Sequence, residues 1–274
     1  MDELQAYPAC PLCAGQVLAE HKIADCSRHP LYKPALSPSI RWLRCQGCGH
    51  VFRDGYYTDA ACEIVFAETN ANQQVGHDME GQRLVSARMI EKVLPFQSSG
   101  DWLDVGFGNG SLLFTAQEYG FTPVGLDLRA ANVESLSRFG VEAYCENIEA
   151  FGFNDRFSVI SMADVVEHVP YPIACLQAAQ RMLKDGGVLF LSMPNSDSMI
   201  WRVLDALNQN PYWGELEHYH NFGRSRLYAL LQQCGFEPVR YGVSERYRAC
   251  MEVVSIKRAV TSGAPAGKRR RPKA

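Results

Sequence analysis

The chain has 274 residues, of which 47% are hydrophobic and 21% are charged, and these proportions exclude disorder over most of its length. The last 18 residues carry seven basic side chains and no acidic one, so the first 256 carry 20 basic against 30 acidic residues. This net charge of −10 is a poor electrostatic match for nucleic acid. No apolar run is long enough to span a bilayer, and no signal peptide precedes the first motif, so we expect a cytoplasmic protein without membrane insertion.

Two cysteine pairs, in the sequences CPLC and CQGC, lie near the start of the chain. A CxxC turn presents two thiolates to one ion, and two such turns complete a tetrahedral zinc site. The flanks of the second pair alternate like hairpin strands, whereas a redox CxxC usually opens a helix. The sequence therefore predicts a zinc ribbon over residues 1–54, with Cys26 and His50 as substitute ligands. The predicted ligands are Cys10, Cys13, Cys45 and Cys48.

Residues 55–98 form a predicted helical connector to the next domain. Apolar side chains recur at helical spacing over residues 82–94, and Pro95 closes the pattern. The helical spacing of apolar residues ends there, and a short apolar strand begins at residue 101. We therefore expect a separate domain over residues 99–258.

A glycine-rich loop, GFGNG at residues 106–110, connects the strand at 101–105 to a predicted helix at 111–119. A second strand at 123–127 ends in Asp127, whose carboxylate can accept bonds from both ribose hydroxyls. Strand, glycine loop, helix and acid-tipped strand form a nucleotide-binding unit. The spacing is GxGxG rather than GxGxxG, and Asp104 lies two residues before the first glycine. A carboxylate there would repel a pyrophosphate but suits a cationic ligand.

These residues resemble the first motifs of the class I S-adenosylmethionine-dependent methyltransferases, although Phe107 stands where the family commonly has a small residue. The segment FSVISMADVVEHV at residues 157–169 is similar to a later motif of the small-molecule branch of that family. Asn147 aligns with the acid that binds the adenine amine, and Glu146 is the adjacent alternative. The resemblance implies a cofactor site made of Asp104, Gly106, Gly108, Gly110, Asp127, Leu128, Asn147, Ile148, Asp164 and His168.

The fold that this resemblance implies is α/β and Rossmann-like, with seven mostly parallel strands and helices on both faces. Helices are predicted at 172–183 and 224–234, and a buried strand at 188–194 follows a turn at 184–187. The final strand, around residues 251–256, is expected to insert antiparallel beside the fifth strand.

An aromatic and polar stretch at residues 201–222 follows the fifth strand and is expected to cover the reactive methyl group. Its element EHYHNF resembles one found in sugar and small-metabolite methyltransferases, where the first histidine serves as a base in some relatives. His218 is therefore the first candidate catalytic base and His220 the second. The alternative is that both histidines bind loop backbone. The pair formed by Glu167 and His168 is expected to shape the cofactor pocket.

The predicted function is methyl transfer from S-adenosylmethionine to oxygen or carbon of a small molecule or glycan precursor, with structural zinc. Two alternatives are an RNA methyltransferase that recognises substrate through its ribbon, and a non-catalytic binding module. The acidic body and a near-neutral ribbon argue against the RNA enzyme. The basic segment 259–274 is predicted to be a disordered tail, either merely solvated or anion-binding.

Overall fold

The computed structural model describes residues 3–65 and 71–258. No helix within these ranges is long and apolar enough to cross a membrane. The predicted tail 259–274 lies outside the described residues. The helices are α1 (Asp59–Val65), α2 (Met79–Val93), α3 (Ser111–Glu118), α4 (Ala130–Ser137), α5 (Pro172–Met182), α6 (Met199–Ala206) and α7 (Arg224–Gln233). The strands are β1 (Leu4–Ala6), β2 (Leu18–Asp25), β3 (Ser39–Cys45), β4 (Val51–Arg53), β5 (Gly55–Tyr57), β6 (Gly100–Val105), β7 (Phe121–Asp127), β8 (Glu142–Cys145), β9 (Phe157–Ala163), β10 (Leu183–Pro194), β11 (His220–Asn221), β12 (Phe236–Val243) and β13 (Cys250–Lys257).

The largest sheet in the described part of the chain has seven strands in the order β12-β13-β10-β9-β6-β7-β8. The strands from β10 to β8 run parallel, and β13 pairs antiparallel with both β10 and β12. The predicted α/β fold with a seven-stranded, mostly parallel sheet is therefore confirmed. The antiparallel insertion of the last strand beside the fifth strand of this sheet is confirmed as well.

Helices cover both faces of this sheet because alternate residues of its strands point to opposite sides. On β6, Trp102 packs with Ile90 of α2 and Leu113 of α3. The next residue, Leu103, belongs to a second core that contains Leu176 of α5 and residues of α7. The two apolar layers hold β6 between helices on both faces of the sheet. The glycine loop directly follows β6 and therefore lies at the carboxyl edge of the parallel strands.

The turn predicted at residues 184–187 lies inside a longer strand. β10 already pairs with β9 at Leu183, and the register shifts between Leu183 and Val188. Gly186 has a φ of +72°, a conformation that glycine adopts at little cost. The predicted turn is thus an irregularity that interrupts the strand without ending it. The connector also contains β5, which pairs antiparallel with β1.

The amino-terminal region forms an antiparallel sheet in the order β11-β4-β3-β2. The predicted hairpin around the second cysteine pair is present as β3 and β4. Its outer strand β11 comes from the other end of the chain, with His220 opposite Phe52 and Asn221 opposite Val51. The stretch that follows β10 therefore completes the amino-terminal sheet.

Further contacts fix the aromatic stretch against this sheet. The indole N–H of Trp42 donates to the carbonyl of Trp213 at 2.9 Å. Arg53, which is buried, donates from Nη1 to the carbonyl of Leu216 at 3.1 Å. Loss of one partner would leave a buried donor or acceptor unpaired and would destabilise the fold. The amino-terminal region thus positions the segment that contains His218.

Candidate functional site

The glycine loop lies at the carboxyl end of β6, and its three glycines have positive φ. Gly106 has a φ of +66°, and a Cβ at this position would lie 3.0 Å from Cγ2 of Val165. Gly108 has a φ of +54°, and a Cβ there would meet nothing closer than 3.9 Å. Positive φ favours glycine at both positions. At position 106 the neighbouring Val165 disfavours a side chain as well, whereas a Cβ at position 108 would make only an ordinary contact. Gly110, at +78°, ends the loop before α3.

Phe107 points away from the loop and into the core. Its side chain is 4% exposed, and a Cβ on Gly125 of β7 would lie 2.8 Å from Cδ1 of this ring. The missing side chain at residue 125 provides the room for the ring. A large residue within the glycine loop is therefore compatible with an open ligand face.

Asp104 is buried at the end of β6, in a short chain of hydrogen bonds. The indole N–H of Trp102 donates to Oγ of Ser161 at 2.8 Å, and that hydroxyl donates to Oδ1 of Asp104 at 2.6 Å. Burial raises the pKa of Asp104 to about 7, and the Ser161 bond opposes part of this effect. A nearby cationic ligand would stabilise the ionised form. The site therefore suits a positively charged cofactor.

Asp127 lies at the end of β7, and Arg129 occupies its carboxylate. Oδ1 accepts from the backbone N–H and from Nε of Arg129, each at 2.9 Å, while Oδ2 accepts from Nη2 at 2.8 Å. Asp127 is 5% exposed. A ribose diol that takes up both oxygens of this carboxylate competes with the guanidinium fork. No motif identifies Arg129 as part of this site, although it lies only two residues from the predicted ligand.

Three other predicted cofactor residues lie at the neighbouring strand ends of β7 and β8. Leu128 is 72% exposed, an unusual state for leucine beside a predicted ligand site, while Ile148 is buried. Asn147 is exposed, and its Oδ1 accepts from the backbone N–H of Glu149 at 3.0 Å. One lone pair of that oxygen is therefore already used, and the role of Asn147 toward adenine stays a prediction.

A polar cluster follows β9, across the glycine loop from Asp127. The chain turns at Asp164, which has a φ of +57°, into the short 3₁₀ helix Val166–His168. Ligand atoms of Glu167, His168 and His218 lie within 4.8 Å of one another. The contact between Val165 and Gly106 places this cluster beside the cofactor loop. His168 and His218, which are 50 positions apart in the sequence, therefore meet at the carboxyl edge of the sheet, where methyl transfer is predicted.

A buried carboxylate, Glu167, lies close to the half-buried Asp164 in this region. Glu167 is 1% exposed, and no side chain of the described residues hydrogen-bonds its carboxylate, which lies next to the backbone N–H groups of Val165 and Glu167. Burial, and then the negative charge of Asp164, raises the pKa of Glu167 well above its usual range. Arg246, from the loop between β12 and β13, pairs with Asp164. Arg246 carries no sequence signal that identifies it as part of this site.

The two histidines of the cluster differ in their hydrogen bonds. Nδ1 of His168 donates to the carbonyl of Glu217 at 2.9 Å, which leaves Nε2 as its free nitrogen. The rings of His168 and His218 are 4.7 Å apart and nearly perpendicular. Nδ1 of His218 is buried and has no hydrogen-bond partner within the part of the chain that the structure describes, and burial lowers the pKa of this histidine well below 6.5. A neutral His218 can accept a proton or bind a cation.

His220, the second candidate base, lies in the core between the two sheets. Its Nε2 donates to the carbonyl of Val169 at 3.0 Å, so its Nδ1 accepts from Nε2 of His50 at 3.1 Å. Burial lowers the pKa of His220 to about 4. Both ring nitrogens are engaged, which leaves no atom to take a proton from an acceptor. These hydrogen bonds match the predicted alternative, in which the ring binds backbone, and a catalytic role of His220 stays a prediction.

The four predicted zinc ligands meet in a single cluster. Their Sγ atoms lie within 4.8 Å of one another, with 3.7 Å between Cys10 and Cys48 and 3.5 Å between Cys13 and Cys45. Zn–S bonds of about 2.3 Å in a tetrahedron place sulfurs about 3.8 Å apart. The donor set therefore fits zinc. The proposed substitutes lie outside it, because Cys26 donates to the Ser37 carbonyl at 3.4 Å and His50 binds His220.

The carboxyl edge of the sheet thus combines a glycine loop, two strands that each carry an aspartate near the carboxyl end, and a polar cluster. Residues 76–241 match a family described as a methyltransferase domain. The chain belongs to this methyltransferase family. Its seven-stranded, mostly parallel sheet is that of the class I S-adenosylmethionine-dependent methyltransferases, as the motifs predicted.

Curated relatives match only part of the methyltransferase domain. The ubiquinone biosynthesis O-methyltransferase of Histophilus somni is 29% identical over 115 residues, which cover 37% of this chain and 48% of that protein. The enzyme of the same name from Klebsiella pneumoniae is 33% identical over 107 residues, covering 36% and 44%. The chain therefore spans about half the length of the curated relatives it matches.

Solved structures share the fold of the methyltransferase domain at low sequence identity. The magnesium protoporphyrin IX methyltransferase of Synechocystis, with S-adenosylhomocysteine bound, has a TM-score of 0.53 and 16% identity over 75% of this chain and 90% of its own. The Pyrococcus horikoshii protein PH0226 has a TM-score of 0.55 and 15% identity, over 72% and 98%. At these identities the likeness concerns the fold alone.

Proposed function

We propose that this methyltransferase transfers a methyl group from S-adenosylmethionine to a small-molecule acceptor or glycan precursor. The observation that carries the proposal is the arrangement of Asp104 and Asp127 at the ends of adjacent strands, on either side of the glycine loop. Asp104 provides negative charge for a cationic cofactor, and Asp127 provides acceptors for the ribose diol. The family match supports the same reading.

The acceptor is proposed to bind over the cluster of Glu167, His168 and His218. The sulfonium is already an activated methyl donor, so the protein has to align the acceptor with the methyl carbon and exclude water. An acceptor hydroxyl or acidic carbon also loses a proton. His218 is the proposed base that accepts it. The names of the curated relatives describe methylation of oxygen in ubiquinone biosynthesis, which supports an oxygen nucleophile.

Zinc bound by the four cysteines is proposed to be structural. Four thiolates fill a tetrahedral ion and leave no open position for a substrate. The ion would hold the two CxxC turns together, and through the shared sheet it would stabilise the segment that contains His218. The amino-terminal region would then act on catalysis by positioning this segment.

Titration calorimetry tests the cofactor assignment directly. S-adenosylmethionine and S-adenosylhomocysteine should each bind with one site per chain, and NAD(H) should bind more weakly than either. Tighter binding of NAD(H) would contradict the proposal. A coupled assay for S-adenosylhomocysteine release, run with panels of phenols, alcohols and acidic carbon compounds, then identifies the acceptor class.

A further inference from the structure

We propose that Arg246 binds a carboxylate group of the acceptor and thereby selects acidic acceptors. The inference rests on the proposed function, because it concerns the acceptor of that methyl transfer. Arg246 belongs to the loop 244–249, which connects β12 to β13. Cys250, the first residue of β13, pairs with Pro194 at the carboxyl end of β10. The loop therefore lies at the same edge of the sheet as the glycine loop.

Hydrogen bonds fix the shape of this loop. Oγ of the buried Ser244 accepts from the backbone N–H of Arg246 at 3.2 Å and from that of Tyr247 at 3.4 Å. The backbone N–H of Asn195 donates to the carbonyl of Ala249 at 3.1 Å, which ties the loop to the end of β10. Arg246 is thus held in place before a ligand arrives, and a preorganised group loses less entropy when the ligand binds.

The guanidinium of Arg246 lies between Asp164 and an aromatic ring. Nη2 donates to Oδ2 of Asp164, and the ring of Tyr247 lies 5.1 Å from the guanidinium carbon. Asp164 directly precedes Val165, whose side chain contacts the glycine loop. The positive charge of Arg246 also opposes the rise in the pKa of Asp104 that burial causes. The guanidinium therefore lies beside the edge where methyl transfer is predicted.

Most donors of this guanidinium are free. Asp164 takes one of its five N–H groups, and no other residue in the described ranges hydrogen-bonds it. Whichever hydrogen of Nη2 points to Asp164, one edge with two parallel donors remains. The side chain of Arg246 is 29% exposed, so a ligand can reach this edge. Two parallel N–H donors match the two oxygens of a carboxylate.

Two phenol hydroxyls lie in the same region. The ring of Tyr212 stacks on Trp201 with centroids 5.3 Å apart. Burial raises the pKa of Tyr212 to about 12, and nearby negative charges, which include those of Asp164 and Tyr247, add to this effect. Within the described part of the chain both tyrosines form hydrogen bonds through backbone groups, whereas their hydroxyls form none. The region therefore offers more donors than acceptors, which favours an anionic oxygen group as ligand.

The charge balance favours a monoanion over a dianion. Arg246 and Asp164 form an ion pair and compensate each other's charge. Burial raises the pKa of Glu167 well above its usual range and so favours its uncharged form. A doubly charged phosphate would meet Asp164 without a second cation from the protein. A carboxylate adds a single charge beside the cationic cofactor.

Two probes of the same shape test the charge requirement on the full chain saturated with S-adenosylhomocysteine. Titration calorimetry should show benzoate binding at one site per chain, at millimolar concentration. Benzamide, which lacks the charge, should bind about tenfold more weakly or less. Absence of benzoate binding, or equal affinity for the two probes, would refute the inference. Inorganic phosphate should bind more weakly than benzoate, and tighter binding of phosphate would overturn the carboxylate assignment.

Variants of the loop identify the residue that binds the probe. Arg246→Gln should weaken benzoate binding about tenfold or more and remove the preference over benzamide. Arg246→Lys keeps the charge but loses the two-donor edge, so it should restore only part of the affinity. The matched control Arg248→Gln changes an exposed arginine of the same loop and should bind benzoate like the wild type. Equal benzoate affinity in Arg246→Gln and the wild type would place the anion elsewhere and contradict the proposal.

Calorimetry with S-adenosylhomocysteine alone separates this inference from the proposed function. Arg246→Gln should keep the wild-type affinity for this compound, which also shows that the variant is folded. A loss as large as that for benzoate would assign Arg246 to the cofactor and refute its role toward the acceptor. If the wild type bound neither S-adenosyl compound, the proposed function would fail. Benzoate binding that depends on Arg246 in the cofactor-free chain would then still support the carboxylate site.

Discussion

Substitutions at Asp127 and Arg129 should change cofactor affinity in opposite directions. In the structure the guanidinium of Arg129 occupies both oxygens of Asp127, whereas the proposed cofactor needs these oxygens for its ribose diol. The ion pair therefore competes with the ligand. Arg129→Ala removes the competitor but keeps the backbone N–H of residue 129, which holds Oδ1 at 2.9 Å. Asp127 should thus stay in place.

The expected magnitudes follow from the exposure of the pair. The side chain of Arg129 is 29% exposed and that of Asp127 is 4%, so solvent screens the pair in part. A pair of this kind contributes at most about 1 kcal/mol, and Arg129→Ala should therefore tighten binding by up to about fivefold. Asp127→Ala removes hydrogen bonds to a charged group, worth about 1.5–3 kcal/mol, which corresponds to about 10- to 150-fold weaker binding.

Titration calorimetry with S-adenosylhomocysteine measures both effects. The double variant Asp127→Ala/Arg129→Ala should bind like Asp127→Ala, because Arg129 then has no carboxylate to occupy. Arg138→Ala is the matched control, since Arg138 is an exposed arginine at the other end of α4 that pairs with Glu134. If Arg129→Ala weakened binding as much as Asp127→Ala does, competition would be the wrong explanation and Arg129 would be part of the cofactor site.

Three further predictions concern zinc, pH and the core. Cys45→Ser should lose the zinc found by elemental analysis and lower the melting temperature, whereas Cys26→Ser should keep one zinc per chain; equal zinc in both variants would contradict the ligand set. Because burial raises the pKa of Asp104 to about 7 in the folded state, its contribution to stability is greatest below pH about 3.8 and is lost as the pH rises through 7. Urea unfolding should therefore show Asp104→Asn gaining stability over the wild type between pH 5 and 8, and a constant difference would show that Asp104 ionises normally. His220→Ala should destabilise the fold by about 1–3 kcal/mol in the same assay, because it leaves the Val169 carbonyl and a ring nitrogen of His50 unpaired, and an unchanged unfolding midpoint would exclude this structural role.

Much of the architecture could be predicted from short segments of sequence. The strand at 101–105, the glycine loop and the acid of Asp127 depend on apolar runs, on glycine's access to positive φ and on residues within one βαβ unit. The cysteine pairs likewise depend on local spacing, and their four sulfurs meet as expected. These signals are local because steric limits on the backbone and the burial of alternating side chains act over a few residues.

Motifs and periodicity were enough to predict the fold class and to locate the cofactor motifs, but they could not predict the environments of single side chains. The motif comparison predicts both His218 and His220 as candidate bases, and only the packing of β11 against β4 buries His220 between His50 and Val169. Only the tertiary structure brings His218 to Glu167, and only the loop before β13 brings Arg246 to Asp164. The ionisation and reactivity of these groups depend on burial and on charges contributed by distant segments, and no periodicity or spacing within one segment encodes those contacts.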